Sequence, residues 1–87
     1  MKHIQHATPT TFFALFLEFQ RAHIPVEEVG KRYFNHDEVT AKDKARKNKY
    51  PFPVFKVGTQ WMVDINQLAN YLDGLKKKAE IEFNLTH

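Results

Sequence analysis

The chain contains no cysteine and no serine. The first absence removes disulfide staples, thiolate nucleophiles and zinc–thiolate sites, and the second removes a serine nucleophile. Its three glycines stand apart from one another, so there is no glycine-rich loop to cradle a phosphate. The longest apolar run, Phe12 to Leu17, is six residues, far short of the ~20 that a membrane span needs. The start Met1-Lys2-His3-Ile4-Gln5-His6 lacks the apolar stretch and small-residue cleavage site of a secretion signal, which sets the expectation of a cytoplasmic protein. No repeat, low-complexity tract or linker interrupts the 87 residues, which leave room for one domain. What is present is apolar and aromatic. Hydrophobic residues make up 43% and include eight Phe, enough to build a core and to argue against disorder.

The charge is unevenly placed. Between Lys42 and Lys49 lie Lys42, Lys44, Arg46, Lys47 and Lys49 against the single acid Asp43, a net +4. The whole chain carries +3, so everything outside that segment nets −1. A patch of this kind attracts polyanions, because phosphates neutralised by Lys and Arg release condensed counterions. The plainer alternative is a solvated helix face. A second run, Lys76-Lys77-Lys78, falls toward the end of an expected helix, where cations suit the macrodipole.

Periodicity divides the chain as follows. Residues 1–9 read as a flexible N-terminal arm ending in Thr8-Pro9. Phe12, Leu15, Phe16, Phe19 and Ala22 recur at helical spacing and predict a helix over 10–23 with Thr10 as N-cap. Phe13 and Leu17 lie off that stripe. They are either wrapped by the C-terminal tail or form an oligomer interface with Ile81, Phe83 and Leu85. Ile24-Pro25 ends the pattern, and a second helix is expected over 26–34, with Glu27 and Glu28 in its first turn. Val26, Val29, Tyr33 and Phe34 would face inward and leave Lys31 and Arg32 outside. After the turn Asn35-His36-Asp37, a third helix fits 39–48. Its only apolar i, i+4 pair is Ala41 and Ala45, which turns Lys42, Asp43, Arg46 and Lys47 outward.

Pro51 and Pro53 end helix formation. Two β-prone runs, Phe52–Val57 and Trp61–Ile65, separated by Gly58-Thr59-Gln60, predict a hairpin over 52–65 with a three-residue loop. Asp64 and Gln67 have capping-box spacing at the start of a fourth helix over 65–79, which carries Ile65, Leu68, Ala69, Leu72 and Leu75 on one face. The tail from Ala79 to Leu85 fits either an edge strand with period two or a continuation of that helix.

Helix, short helix, basic helix, hairpin, helix is the order of a winged helix-turn-helix or excisionase-like domain, mainly α with a small β-hairpin, here over residues 10–87. In that arrangement the second member of the helix pair enters the major groove and the hairpin is the wing. The basic segment falls on the candidate recognition helix, and Lys56, Thr59 and Gln60 fall on the wing. This points to double-stranded DNA as partner. Lys42, Lys44, Lys47 and Lys49 would meet phosphates or bases, and Lys31 and Arg32 would brace the backbone. Arg46 is the candidate for a bidentate guanine contact, and Asn48 either reads adenine or caps the helix.

The residues also resemble a known family. Ile24-Pro25-Val26 with Val29 and Tyr33-Phe34, the Lys42–Lys49 helix, Pro51-Phe52-Pro53-Val54-Phe55-Lys56, and Trp61-Met62-Val63 with Leu68-Ala69-Asn70-Tyr71-Leu72-Asp73 together resemble the pyocin activator protein PrtN family. The resemblance spans about Thr11 to Lys78, and the segment between the strands is shorter and less polar than the family leads one to expect. It implies a phage-type transcriptional activator at promoters of phage or bacteriocin-type genes; a location at the nucleoid and no cofactor are the accompanying expectations. It further implies kinship with excisionases, so an architectural factor for recombination is the alternative. A homodimer or cooperative oligomer on DNA, and RNA polymerase, are the further partners to expect of such a regulator. From another class, a protein-interaction module using the exposed apolar residues would modulate a host protein.

Other chemistry finds little footing. His3 and His6 could bind a metal at i, i+3, but no third ligand lies nearby, and His36 reads as a turn residue. No arrangement places a nucleophile, a base and an oxyanion donor together, so neither an enzyme nor a cofactor is expected. Trp61 and Phe52 could stack on single-stranded bases, but their neighbours Val63 and Phe55 make a core role the expectation.

Overall fold

The computed structural model describes residues 9–87, so the expected arm over residues 1–9, Pro9 excepted, and the His3–His6 pair lie outside the described residues. Four helices and three short strands follow in the order α1 (Pro9–Phe19), β1 (His23–Pro25), α2 (Val26–Phe34), α3 (Glu38–Arg46), β2 (Phe55–Val57), β3 (Gln60–Asp64) and α4 (Ile65–Thr86). No described helix is long and apolar enough to cross a membrane.

The first helix stops at Phe19, short of the expected end near His23. Gln20 turns into the left-handed region (φ 55°), and its amide closes on the Phe16 carbonyl at 2.6 Å. The released segment becomes a strand that local patterning did not reveal. His23, Ile24 and Pro25 pair antiparallel with Asp64, Val63 and Met62. The sheet order is β1-β3-β2, so β1 is an edge, where proline is tolerated. The sequence pattern predicted a two-stranded hairpin, and the sheet has a third strand because its partner lies some forty residues away in sequence.

Helix α2 has the expected bounds. Glu27 and Glu28 occupy its first turn and Lys31 and Arg32 its last, both favourable to the helix dipole. Asn35 (φ 56°) ends it, and the amides of Asn35 and His36 both reach back to the Gly30 carbonyl, the latter at 3.0 Å. Two residues after Asn35, Asp37 opens α3 by accepting the Thr40 amide at 2.8 Å. Helix α3 ends at Arg46 rather than at Asn48. Asn48 (φ 57°) sits just past the end, with the Lys49 amide on the Lys44 carbonyl at 2.8 Å.

Strands β2 and β3 are joined by a two-residue turn, Gly58-Thr59, with Gly58 at φ 64°. Gln60, expected in a three-residue loop, is already paired with Val57. The hairpin is also shorter than the expected 52–65, because Pro51 and Pro53 have no amide proton to offer a ladder. Asp64 caps α4 through the Asn66 amide at 3.0 Å. Helix α4 does not end near residue 79 but runs unbroken to Thr86, resolving the tail as helix. Its 22 residues span about 33 Å.

The core joins all layers: Leu15 from α1, Ile24 from β1, Val26 and Val29 from α2, Ala41 and Ala45 from α3, Val63 from β3, and Ile65, Leu68 and Ala69 from α4. Phe12 and Phe19 pack at its margin, whereas Phe16 and Ala22, expected inside, are exposed. Antiparallel packing of α1 on α4 is pinned at one end by buried Thr11, which donates to Asp73 Oδ1 at 2.6 Å and accepts from Lys76 Nζ at 2.9 Å. Tyr50 and Phe52, in the connection after α3, stack at 5.4 Å and fill the space against Phe34 and Tyr71. Phe52 therefore belongs to the core, while Trp61 is half-buried.

Helices α2 and α3 meet where α2 has no side chain. A β-carbon at Gly30 would come within 2.7 Å of the Tyr50 hydroxyl and 3.0 Å of Ala41 Cβ, whereas one at Gly74 would meet nothing within 4 Å. The same substitution should therefore act with opposite signs. Gly74→Ala should raise stability by about 1 kcal/mol through helix propensity alone. Gly30→Ala should lower it, because an overpacking penalty of about 1–3 kcal/mol outweighs that gain. Urea unfolding of both variants checks this, and stabilisation by both would refute the close approach.

Candidate nucleic-acid interface

Helices α2 and α3, joined by the three residues Asn35–Asp37, make a helix-turn-helix, and the β2–β3 hairpin flanks its second helix. Ala41 and Ala45 are fully buried, which fixes the rotation of α3. At 100° per residue, Asp43 then lies at the middle of the outward face. Lys42 and Arg46 lie on its hairpin side and Lys47 on the other, while Lys44 reaches the half-buried margin. The cations of α3 thus spread over an arc of about 200° around a central carboxylate rather than forming one stripe.

That carboxylate organises its neighbours. Arg46 donates to Asp43 Oδ1, and Lys47 Nζ stands 3.2 Å from Asp43 Oδ2. Lys42 Nζ donates to Glu38 Oε2 at 2.8 Å, and this hydrogen bond raises the ammonium pKa above the ordinary lysine value. Asp43 is half-buried and its partners are exposed, as are Lys42 and Glu38, so each pair is weak. Among the described residues Lys44 and Lys49 have no ionic partner. Asn48 occupies the left-handed position that terminates the helix, the capping alternative of its two expected roles.

An open cleft of about 340 Å³ separates α3 from the hairpin, lined by Val39, Lys42, Asp43, Arg46, Lys56, Thr59 and Trp61. The structure therefore brings Lys42 and Arg46 together with Lys56 and Thr59. Lys56 Nζ sits 5.5 Å from the Trp61 ring centroid, a cation–π contact that holds the ammonium at the cleft wall. Gln60, by contrast, turns toward α2, where its amide nitrogen lies 3.4 Å from Glu27 Oε2. Lys31 and Arg32 line a separate hollow with Glu18, Phe19, Arg21, Glu28 and Tyr33. There Arg32 pairs with Glu18, and Arg21 with Glu28 at 2.5 Å.

Three residues of the cleft are not among the DNA contacts that the sequence suggests. Asp43 reads from the sequence as an outward-facing acid that offsets one cation, and its spacing of three from Arg46 and four from Lys47 is in addition that of intrahelical ion pairs. Val39 is 77% exposed on an otherwise polar helix face, three residues before Lys42. Trp61 carries no such signal, since alternation in a strand does not say which face meets solvent. His36, expected as a turn residue, lies in the turn and shares a 2.9 Å hydrogen bond between Nδ1 and the Tyr50 hydroxyl, whose pKa burial raises.

A mainly helical domain with a small three-stranded antiparallel sheet, in which a hairpin flanks the basic helix, is consistent with a small winged helix-turn-helix-like domain. Within that class the chain belongs to the pyocin activator protein PrtN family, whose model matches residues 11–79. No curated protein and no solved structure matches it.

The start of α3 titrates. Hydrogen bonds from Thr40 hold the Asp37 carboxyl below its ordinary value, so its contribution to stability is present above the unfolded-state pKa, near 3.9, and is lost as pH falls through the lowered folded value. Asp37→Asn keeps a capping acceptor without the charge and should flatten that part of the acid loss. Urea midpoints at neutral pH and near pH 3 check this, and an unchanged pH dependence would contradict the cap.

Proposed function

We propose that this chain is a double-stranded-DNA-binding transcriptional activator of phage or bacteriocin-type genes, with α3 in the major groove and the hairpin against the neighbouring backbone. The observation that carries the reading is the cleft in which Lys42 and Arg46 of α3 face Lys56 and Thr59 of the hairpin. Family membership supports the regulatory role. In the groove, Arg46 offers its planar fork to guanine O6 and N7, and Val39 offers an apolar surface to a thymine methyl. Asp43 holds the guanidinium in place before binding, so Arg46 arrives partly ordered. Lys42, Lys44, Lys47, Lys49 and Lys56 supply the sequence-independent attraction to phosphates. Lys31, Arg32 and Gln60 take no part in this cleft, and their assignment to DNA contact is correspondingly narrowed to the backbone beyond it.

With about six phosphates neutralised, log affinity should fall with log salt at a slope near −5. Arg46→Ala should weaken binding to a specific site by about 1–3 kcal/mol and leave random-sequence binding less affected. Lys49→Ala should weaken both alike and flatten the slope by about one. Footprinting on DNA upstream of the chain's own locus, followed by titrations at two or more salt concentrations, provides the measurement. Binding that is indifferent to salt would overturn the proposal.

A further inference from the structure

Beyond Lys76, α4 outruns the helix it packs on. Thr11, near the start of α1, meets Asp73 and Lys76, and the ten residues that follow extend about 15 Å further. The apolar stripe of α4 does not stop there. Leu68 is buried, Leu72 half-buried and Leu75 48% exposed, and the same face continues through Ala79 to Phe83 at 58% exposure. Among the described residues the His87 ring stacks on Phe83, with centroids 4.1 Å apart, and the rest of this part faces solvent. The residues before α1, Met1 to Thr8, offer only Met1 and Ile4 as large apolar side chains. Ile81 and Leu85 lie on the opposite side of the helix and do not extend the stripe.

We propose that a second copy of this chain docks on the projecting end of α4, with the two helices antiparallel about a two-fold axis at Ala79. The charges beside the stripe carry the orientation. At 100° per residue, Lys76 and Glu80 lie on one flank and Lys78 and Glu82 on the other. An antiparallel two-fold sets each flank against the same flank of the second copy, so lysine faces glutamate on both sides and Leu75 faces Phe83. Parallel pairing would instead set Lys76 against Lys78 and Glu80 against Glu82. Local helix stability does not account for this order, since lysine four residues before glutamate is the weaker arrangement and glutamates near a C-terminus oppose the dipole. Lys76 is already engaged by Asp73 within its own chain, which leaves Lys78 and Glu82 as the decisive pair. The small side chain of Ala79 at the crossing lets the axes approach to about 8–10 Å. The family match ends at Ala79, so Glu82 and Phe83 lie outside it.

The absence of cysteine makes the test clean. In the full chain, Ala79→Cys should form a disulfide-linked dimer under mild oxidation, because two such helices bring facing α-carbons within the roughly 4–7 Å that a disulfide spans. Asn84→Cys, on the far side of the helix, should not. In sedimentation velocity up to about 100 µM the unmodified chain should show a concentration-dependent dimer. Lys78→Glu should weaken it about tenfold or more, and the double variant Lys78→Glu/Glu82→Lys should restore it. A chain that stays monomeric throughout, equal crosslinking at both cysteine positions, or failure of the double variant to recover would overturn the proposal. So would a dimer that appears only after residues 1–8 are deleted, since those residues would then be the occupant of this face.

Discussion

The contact between Gly30 and its neighbours Ala41 and Tyr50 governs the geometry of the remainder of the molecule. Two helices can approach this closely only where one of them has no side chain, and here that position falls at the centre of α2. The approach buries Ala41 and Ala45, which fixes the rotation of α3 and so decides which of its side chains reach solvent. Tyr50, held between Gly30 and His36, then turns the chain away from the helix. The stacked rings of Tyr50 and Phe52 anchor that turn against α2 and α4, and the hairpin emerges beside α3 rather than elsewhere.

The electrostatic design is less simple than a basic helix. Within Glu38–Arg46 two acids stand among three cations, and the exposed cations Lys42 and Arg46 both lean on them. Exposed pairs of this type contribute little to stability. On the proposed reading their effect is on readiness: the carboxylates hold the long side chains in place, and a phosphate or base edge would exchange for them with little reordering. On the same reading, the charge left over to draw a polyanion comes chiefly from Lys44 and Lys49, which have no ionic partner among the described residues, and from Lys56 on the cleft wall.

Much of this was legible in the sequence, and the failures share a cause. The bounds of α2 followed from Pro25 and the first-turn glutamates, and the alanine pair gave the rotation of α3 directly, because both signals are local. Strand β1 was not legible, since three residues ending in proline become a strand only through pairing with β3, a distant segment. The end of α1 was misplaced for the same reason, as the strand claims residues that periodicity would give to the helix. In α4 the tail alternates with period two while also keeping Leu75, Ala79 and Phe83 in helical register, and only continuity with a formed helix breaks that tie. Of the candidate site, the outward face of Lys42, Asp43, Arg46 and Lys47 was visible, but not the cleft it forms with Lys56, Thr59 and Trp61, which depends on how the hairpin folds back beside α3.

The central claim is that α3 and the hairpin present one surface to DNA. Amide chemical-shift mapping of the full chain during titration with a cognate duplex tests it most directly. The account predicts shifts concentrated in residues 38–49 and 55–60, with α1 and the end of α4 unmoved. Shifts centred on Phe13 and Leu17, or none in α3, would contradict it.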